Sequence, residues 1–86
     1  MPRISSFYGI VIAMYYREHG VPHFHAFYGE YRASISIKSL EILGGYLPPR
    51  AIRLVNQWAL LHQEELLENW DLAEREEALE SIAPLP

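Results

Sequence analysis

The 86-residue sequence has no cysteine, which excludes disulfide staples, thiolate nucleophiles and zinc–thiolate sites. No apolar run approaches the roughly 18–20 residues that a membrane-spanning helix needs. No smooth apolar stretch follows Met1-Pro2-Arg3, so no signal peptide is expected, and a cytoplasmic protein without membrane contact is. Repeats and low-complexity segments are absent, as are a Ser-His-Asp order and a pair of catalytic carboxylates. Gly44-Gly45-Tyr46 resembles a phosphate loop only superficially, because Pro48 and Pro49 withhold the N–H donors that such a loop uses. The net charge of −4 disfavours tight nucleic-acid binding, where phosphate neutralisation dominates affinity. That charge is divided unevenly. Residues 1–50 carry five basic and three acidic side chains, net +2, and residues 51–86 carry two and eight, net −6.

What is present describes one domain over residues 1–86, with a sheet at about 9–43, a helix at about 49–75 and a tail at 76–86. A chain of this length buries only about 60–65% of its unfolded surface and has room for a single core. Pro22 to Lys38, PHFHAFYGEYRASISIK, reads as a β-hairpin turning at Gly29-Glu30, where glycine supplies the positive φ of a type II′ turn. That register sets Tyr28 opposite Tyr31 and His23 opposite Ser36. Alternation then divides the hairpin into two faces. Phe24, Ala26, Tyr28, Tyr31, Ala33, Ile35 and Ile37 form the apolar one. His23, His25, Phe27, Arg32, Ser34, Ser36 and Lys38 form the polar one.

Gly9 to Tyr16, GIVIAMYY, is the most strand-like run, and its alternation puts Val11, Ala13, Tyr15 and Arg17 on the polar side. Residues 1–8 read as a lead-in or a short edge strand. Leu40–Leu43 reads as a fourth strand ended by Gly44-Gly45. Pro49 to about Arg75 contains neither glycine nor proline, which predicts one long helix opening on a proline in its first turn. Its apolar arc, roughly 180° wide at 100° per residue, includes Ala51, Val55, Trp58, Leu61, Leu66 and Trp70. His62 and Asn69 fall near the middle of that arc, as buried polar anchors for backbone near the sheet end. Leu60 and Leu67 fall on the far side, as a partner-binding strip unless Leu79, Ile82 and Leu85 of the tail fold back over it. The fold class is therefore α+β: an antiparallel meander of about four strands, with one long C-terminal helix packed on its apolar face.

FYGIVI at 7–12, PHFHAFYGEYRA at 22–33, LPPRA at 47–51 and WALLHQEELLENW at 58–70 resemble a small, mostly bacterial family, domain of unknown function 4160. The run Glu74–Glu80 is richer in Ala and Glu than the family's tail. The resemblance implies no established activity. It implies instead a two-gene, toxin–antitoxin-like setting, in which the domain pairs with a small protein encoded by a neighbouring gene; the Leu60/Leu67 strip leaves self-association open as well.

The first functional expectation is accordingly a non-catalytic module that binds such a partner through the polar sheet face, an open sheet edge or the Leu60/Leu67 strip. The second is a metal- or histidine-dependent RNA hydrolase. In it His23 or His25 serves as acid/base, Arg32 stabilises charge on phosphorus, and Tyr15 or Phe27 stacks a base, with Ser34 on the same surface. His23 and His25 project about 6.5–7 Å apart along the strand. They are the candidate metal ligands, and Glu18 or His19 is placed to add a third. Two ligands fall short of a complete site, so no metal or cofactor is expected. The plainer reading makes both histidines solvent-accessible strand residues bonded to Ser34 and Ser36.

Overall fold

The computed structural model describes residues 2–86. Five strands, β1 (Arg3–Phe7), β2 (Ile10–Ala13), β3 (His23–Tyr28), β4 (Tyr31–Ser36) and β5 (Ile42–Tyr46), form one antiparallel sheet in sequence order. Two helices follow, α1 (Pro49–Leu61) and α2 (Gln63–Glu74). The architecture is α+β as expected, with one strand more and the helix divided.

The central hairpin has the expected register at all six pairs, from Tyr28↔Tyr31 to His23↔Ser36. Gly29 lies at φ +57°, the positive φ that the turn demands. The additional strand comes from a second tight turn. Tyr8 and Gly9 both have positive φ (+49° and +80°), as a type I′ turn requires, and this pairs Phe7 with Ile10. The lead-in is thus an edge strand, and β2 stops at Ala13 rather than Tyr16.

Gly44 and Gly45 lie inside β5 rather than ending a strand. The β4–β5 register slips between Ser34↔Gly44 and Ile35↔Ile42, a bulge that leaves Leu43 unpaired. Gly45 has φ +83°, and a Cβ there would sit 2.9 Å from the Ala33 Cα and against the Arg32 carbonyl oxygen. Close backbone approach accounts for this glycine, not chain termination.

α1 opens at Pro49 as expected and covers the apolar face. Phe24, Ile35, Ile10, Ile12 and Trp58 are all buried, with Trp58 set 5.4 Å from Phe7 and 5.9 Å from Phe24. The helix does not continue. His62 takes φ −130°, and α2 turns across the end of the sheet, where Gln63 Nε2 donates to the Ile37 carbonyl at 2.8 Å. An uninterrupted helix from Pro49 to Glu74 would be roughly 39 Å long, against a longest molecular dimension of 33 Å. Its second half could bury an apolar face only by turning back. Leu61 leaves the expected apolar arc at this break and is exposed.

The tail folds back onto β1. The Ile82 amide donates to the Ile4 carbonyl at 2.8 Å, and Tyr8 Oη donates to Pro86 O at 2.6 Å. Ile82 is buried, while Leu79 and Leu85 pack on the core. Asn69, fully buried, holds the tail by bonding both the N–H and the C=O of Glu80, at 2.8 and 2.9 Å. It anchors tail backbone rather than the sheet end. No helix of the described residues is long and apolar enough to cross a membrane.

Candidate metal centre and adjoining pocket

The β2–β3 loop brings Glu18 back over the start of β3. Arg17, at φ +57°, donates its amide to the Ala73 carbonyl at 3.4 Å and lies 3.7 Å from Glu76, which ties the loop to the end of α2. On the other side, the Ile37 amide donates to the Pro22 carbonyl at 3.0 Å. Held between these contacts, one carboxylate oxygen of Glu18, Oε1, lies 2.7 Å from His25 Nε2 and 3.2 Å from His23 Nε2. Of the two loop residues weighed as a third ligand, Glu18 joins the histidines. His19 is exposed and is not part of the cluster.

The expectation that both histidines stay solvent-accessible is corrected. His23 is 9% exposed, its ring 5.1 Å from Trp70 and 5.3 Å from His25. The division of the helix is the cause, since α2 carries Trp70 around the sheet end onto the polar side. His25 is half-buried, with Tyr15 edge-on at 4.7 Å. Its Nδ1 lies 3.4 Å from Ser34 Oγ. Ser36 does not bond His23; its hydroxyl accepts from the Ser39 amide instead.

Hydrogen bonding fixes the polarity of His23. Its Nδ1 lies 2.8 Å from the Val21 carbonyl, and a carbonyl can only accept, so Nδ1 carries the proton. A neutral His23 then aims the Nε2 lone pair at the Glu18 carboxylate. Two acceptors at 3.2 Å repel unless a second proton or a cation lies between them. The ligand atoms of Glu18, His23 and His25 all fall within 4.8 Å of one another. Ligands of a tetrahedral zinc ion, with bonds of about 2.0–2.2 Å, stand about 3.3 Å apart, a spacing that lies between the shortest of these separations, 2.7 Å, and their 4.8 Å limit. The Val21 carbonyl on Nδ1 is the outer-shell partner that metal-bound histidines ordinarily have.

Beside this cluster the polar face is concave. A cavity of about 350 Å³ is lined by Tyr15, His25, Phe27, Arg32, Ser34 and the Gly44-Gly45 backbone, with Ala33. The structure therefore gathers Tyr15, His25, Phe27, Arg32 and Ser34, while His23 sits behind them with Glu18. His25 belongs to both places.

The remaining candidates lie apart. His62 bonds Glu65 Oε1 at 2.5 Å and packs at a tilt against Trp58, 5.5 Å between ring centres, so it anchors a helix side chain rather than sheet backbone and takes no part in the histidine cluster. Leu67, expected with Leu60 on an unpartnered strip, packs on the core. The exposed leucines are Leu60 and Leu61. The role of Trp70 escaped sequence reasoning because no glycine or proline marks the break at His62.

The chain belongs to the family DUF4160, domain of unknown function, whose model matches residues 9–71. No curated protein and no solved structure matches it.

Proposed function

We propose that this member of the DUF4160 family is a divalent-metal domain of hydrolytic type. Glu18, His23 and His25 are the protein ligands of a zinc-class ion, and the adjoining pocket is the substrate side. The observation that supports this reading is the convergence of His23 Nε2 and His25 Nε2 on Glu18 Oε1 at 3.2 and 2.7 Å, with His23 Nδ1 committed to a carbonyl. Two imidazoles and a carboxylate favour zinc and its transition-metal neighbours over magnesium or calcium, which prefer oxygen. Three protein ligands leave a coordination position for water, the pattern of catalytic rather than structural zinc. Equilibrium dialysis against zinc should give one ion per chain, and Glu18→Gln should abolish uptake. Uptake that survives Glu18→Gln rejects the assignment.

A second reading, partner binding, is favoured by the asymmetry of the sheet edges. The tail covers β1, but every residue of β5 is exposed, including Ile42, Leu43 and Tyr46. An open strand edge is a template for an extended segment of a small protein partner. Ile42→Lys should then abolish co-purification with a partner encoded beside this chain while the melting temperature holds. Undiminished co-purification would place the contact elsewhere.

A further inference from the structure

Resting on that metal reading, we infer that the pocket beside the centre takes one nucleotide unit of single-stranded nucleic acid and presents its phosphodiester for hydrolysis. Three features of the pocket carry this. Tyr15 and Phe27 are half-buried aromatics on its walls, where an unpaired base can stack; duplex bases, already stacked and paired, cannot enter. Arg32 is exposed, stands opposite Phe27 in the hairpin register, and makes no ion pair among the described residues. A free guanidinium in a pocket wall is suited to bidentate phosphate recognition. His25 joins pocket to centre, since its ring lines the cavity and its Nε2 is a ligand atom.

Size and charge limit the ligand. At about 350 Å³ the cavity lies at the small end of the roughly 300–1,000 Å³ usual for ligand sites, with room inside for about one nucleotide. A single arginine on an acidic protein neutralises one phosphate rather than tracking a backbone. Binding should therefore weaken gently with salt, with a log–log slope of about −0.7 per phosphate for single strands. In the reaction, the oxygen of a metal-bound water bonds to phosphorus and releases a proton. The bond from phosphorus to the leaving nucleoside oxygen breaks, and that oxygen keeps the electron pair and takes up a proton. Water is consumed, a phosphomonoester and an alcohol form, and nothing is oxidised or reduced.

The test uses the zinc-loaded full chain with a short oligouridylate, its deoxy counterpart, a duplex of equal length and a polyglutamate peptide. Both single strands should bind and be cleaved, whether or not RNA is preferred, and the duplex and the peptide should not bind. Arg32→Ala should weaken binding by about 10–100-fold, as loss of a charged hydrogen bond does, and Arg32→Lys should restore only part. Phe27→Ala should cost about 5–100-fold through lost stacking. Zinc uptake should persist in all three variants, which shows that they fold. Failure of the wild-type chain to take up zinc overturns the metal reading and this inference together. Zinc uptake without oligonucleotide binding overturns the inference alone, as do equal duplex binding, a steep salt slope or preference for the peptide. Binding without cleavage overturns the hydrolytic step.

Discussion

Zinc at a hundredfold excess over Kd should raise the melting temperature of this domain by about 10–20 °C. An ion that binds only the folded state stabilises it by RT ln(1 + [L]/Kd), about 2.7 kcal/mol at that excess. For a domain of this size each kcal/mol moves the midpoint by about 4–8 °C. With a neutral His23, an ion between its Nε2 lone pair and the Glu18 carboxylate would also replace their opposition at 3.2 Å with two attractive contacts. His25→Ala and Glu18→Gln should abolish the shift. His19→Ala should retain it, because His19 lies outside the cluster, and magnesium should produce none. The shift should shrink in acid, since a protonated imidazole has no lone pair left for a metal. A melting temperature indifferent to zinc, or a shift that survives Glu18→Gln, would contradict the assignment.

Trp58→Ala should cost about 3–5 kcal/mol, the usual range for a large buried aromatic, and so lower the melting temperature by roughly 15–30 °C. Trp58 is fully buried and joins three parts of the molecule. Its ring packs on Phe7 and Phe24 of the sheet and on His62 at the helix break. Its Nε1 donates to the Ala83 carbonyl of the tail at 2.8 Å. Trp58→Phe separates the contributions: it keeps most of the packing but leaves that carbonyl without its donor, at a cost of about 1–3 kcal/mol. Hydrogen exchange should then quicken first at the Ile82 amide, which the tail holds against β1. A loss below about 1 kcal/mol for Trp58→Ala would mean that the core does not close around this side chain.

Local rules made part of this molecule legible. Gly29 and a period of two placed six hairpin pairs, and Pro49 placed the start of the helix. The HisPheHis spacing marked two of the three residues that converge, and left the third open between Glu18 and His19. Alternation put Tyr15, His25, Phe27, Arg32 and Ser34 on one face, and the Gly44-Gly45 backbone, paired with Ser34 and Ala33 beside the bulge at Leu43, completes the wall of their pocket. Tertiary requirements set what was missed. Nothing near His62 breaks a helix locally; the break follows from fitting a long helix to a short sheet, and it buries His23 beneath Trp70. Gly44-Gly45 looked like a terminator because close backbone approach leaves the same residue type as a turn. The strand at Arg3–Phe7 is weak in propensity and forms because Tyr8-Gly9 folds it onto β2. Helical phase failed at Leu61, where the helix ends, and at Leu67, whose surroundings changed with the direction of α2.

The most direct test of the metal centre is nitrogen-resolved NMR of the imidazoles during zinc titration. His23 and His25 should both coordinate through Nε2, with His23 Nδ1 keeping the proton it donates to the Val21 carbonyl, while His19 and His62 stay unchanged. Coordination through His23 Nδ1, engagement of His19 or His62 in place of the strand histidines, or four unaltered imidazoles would contradict it.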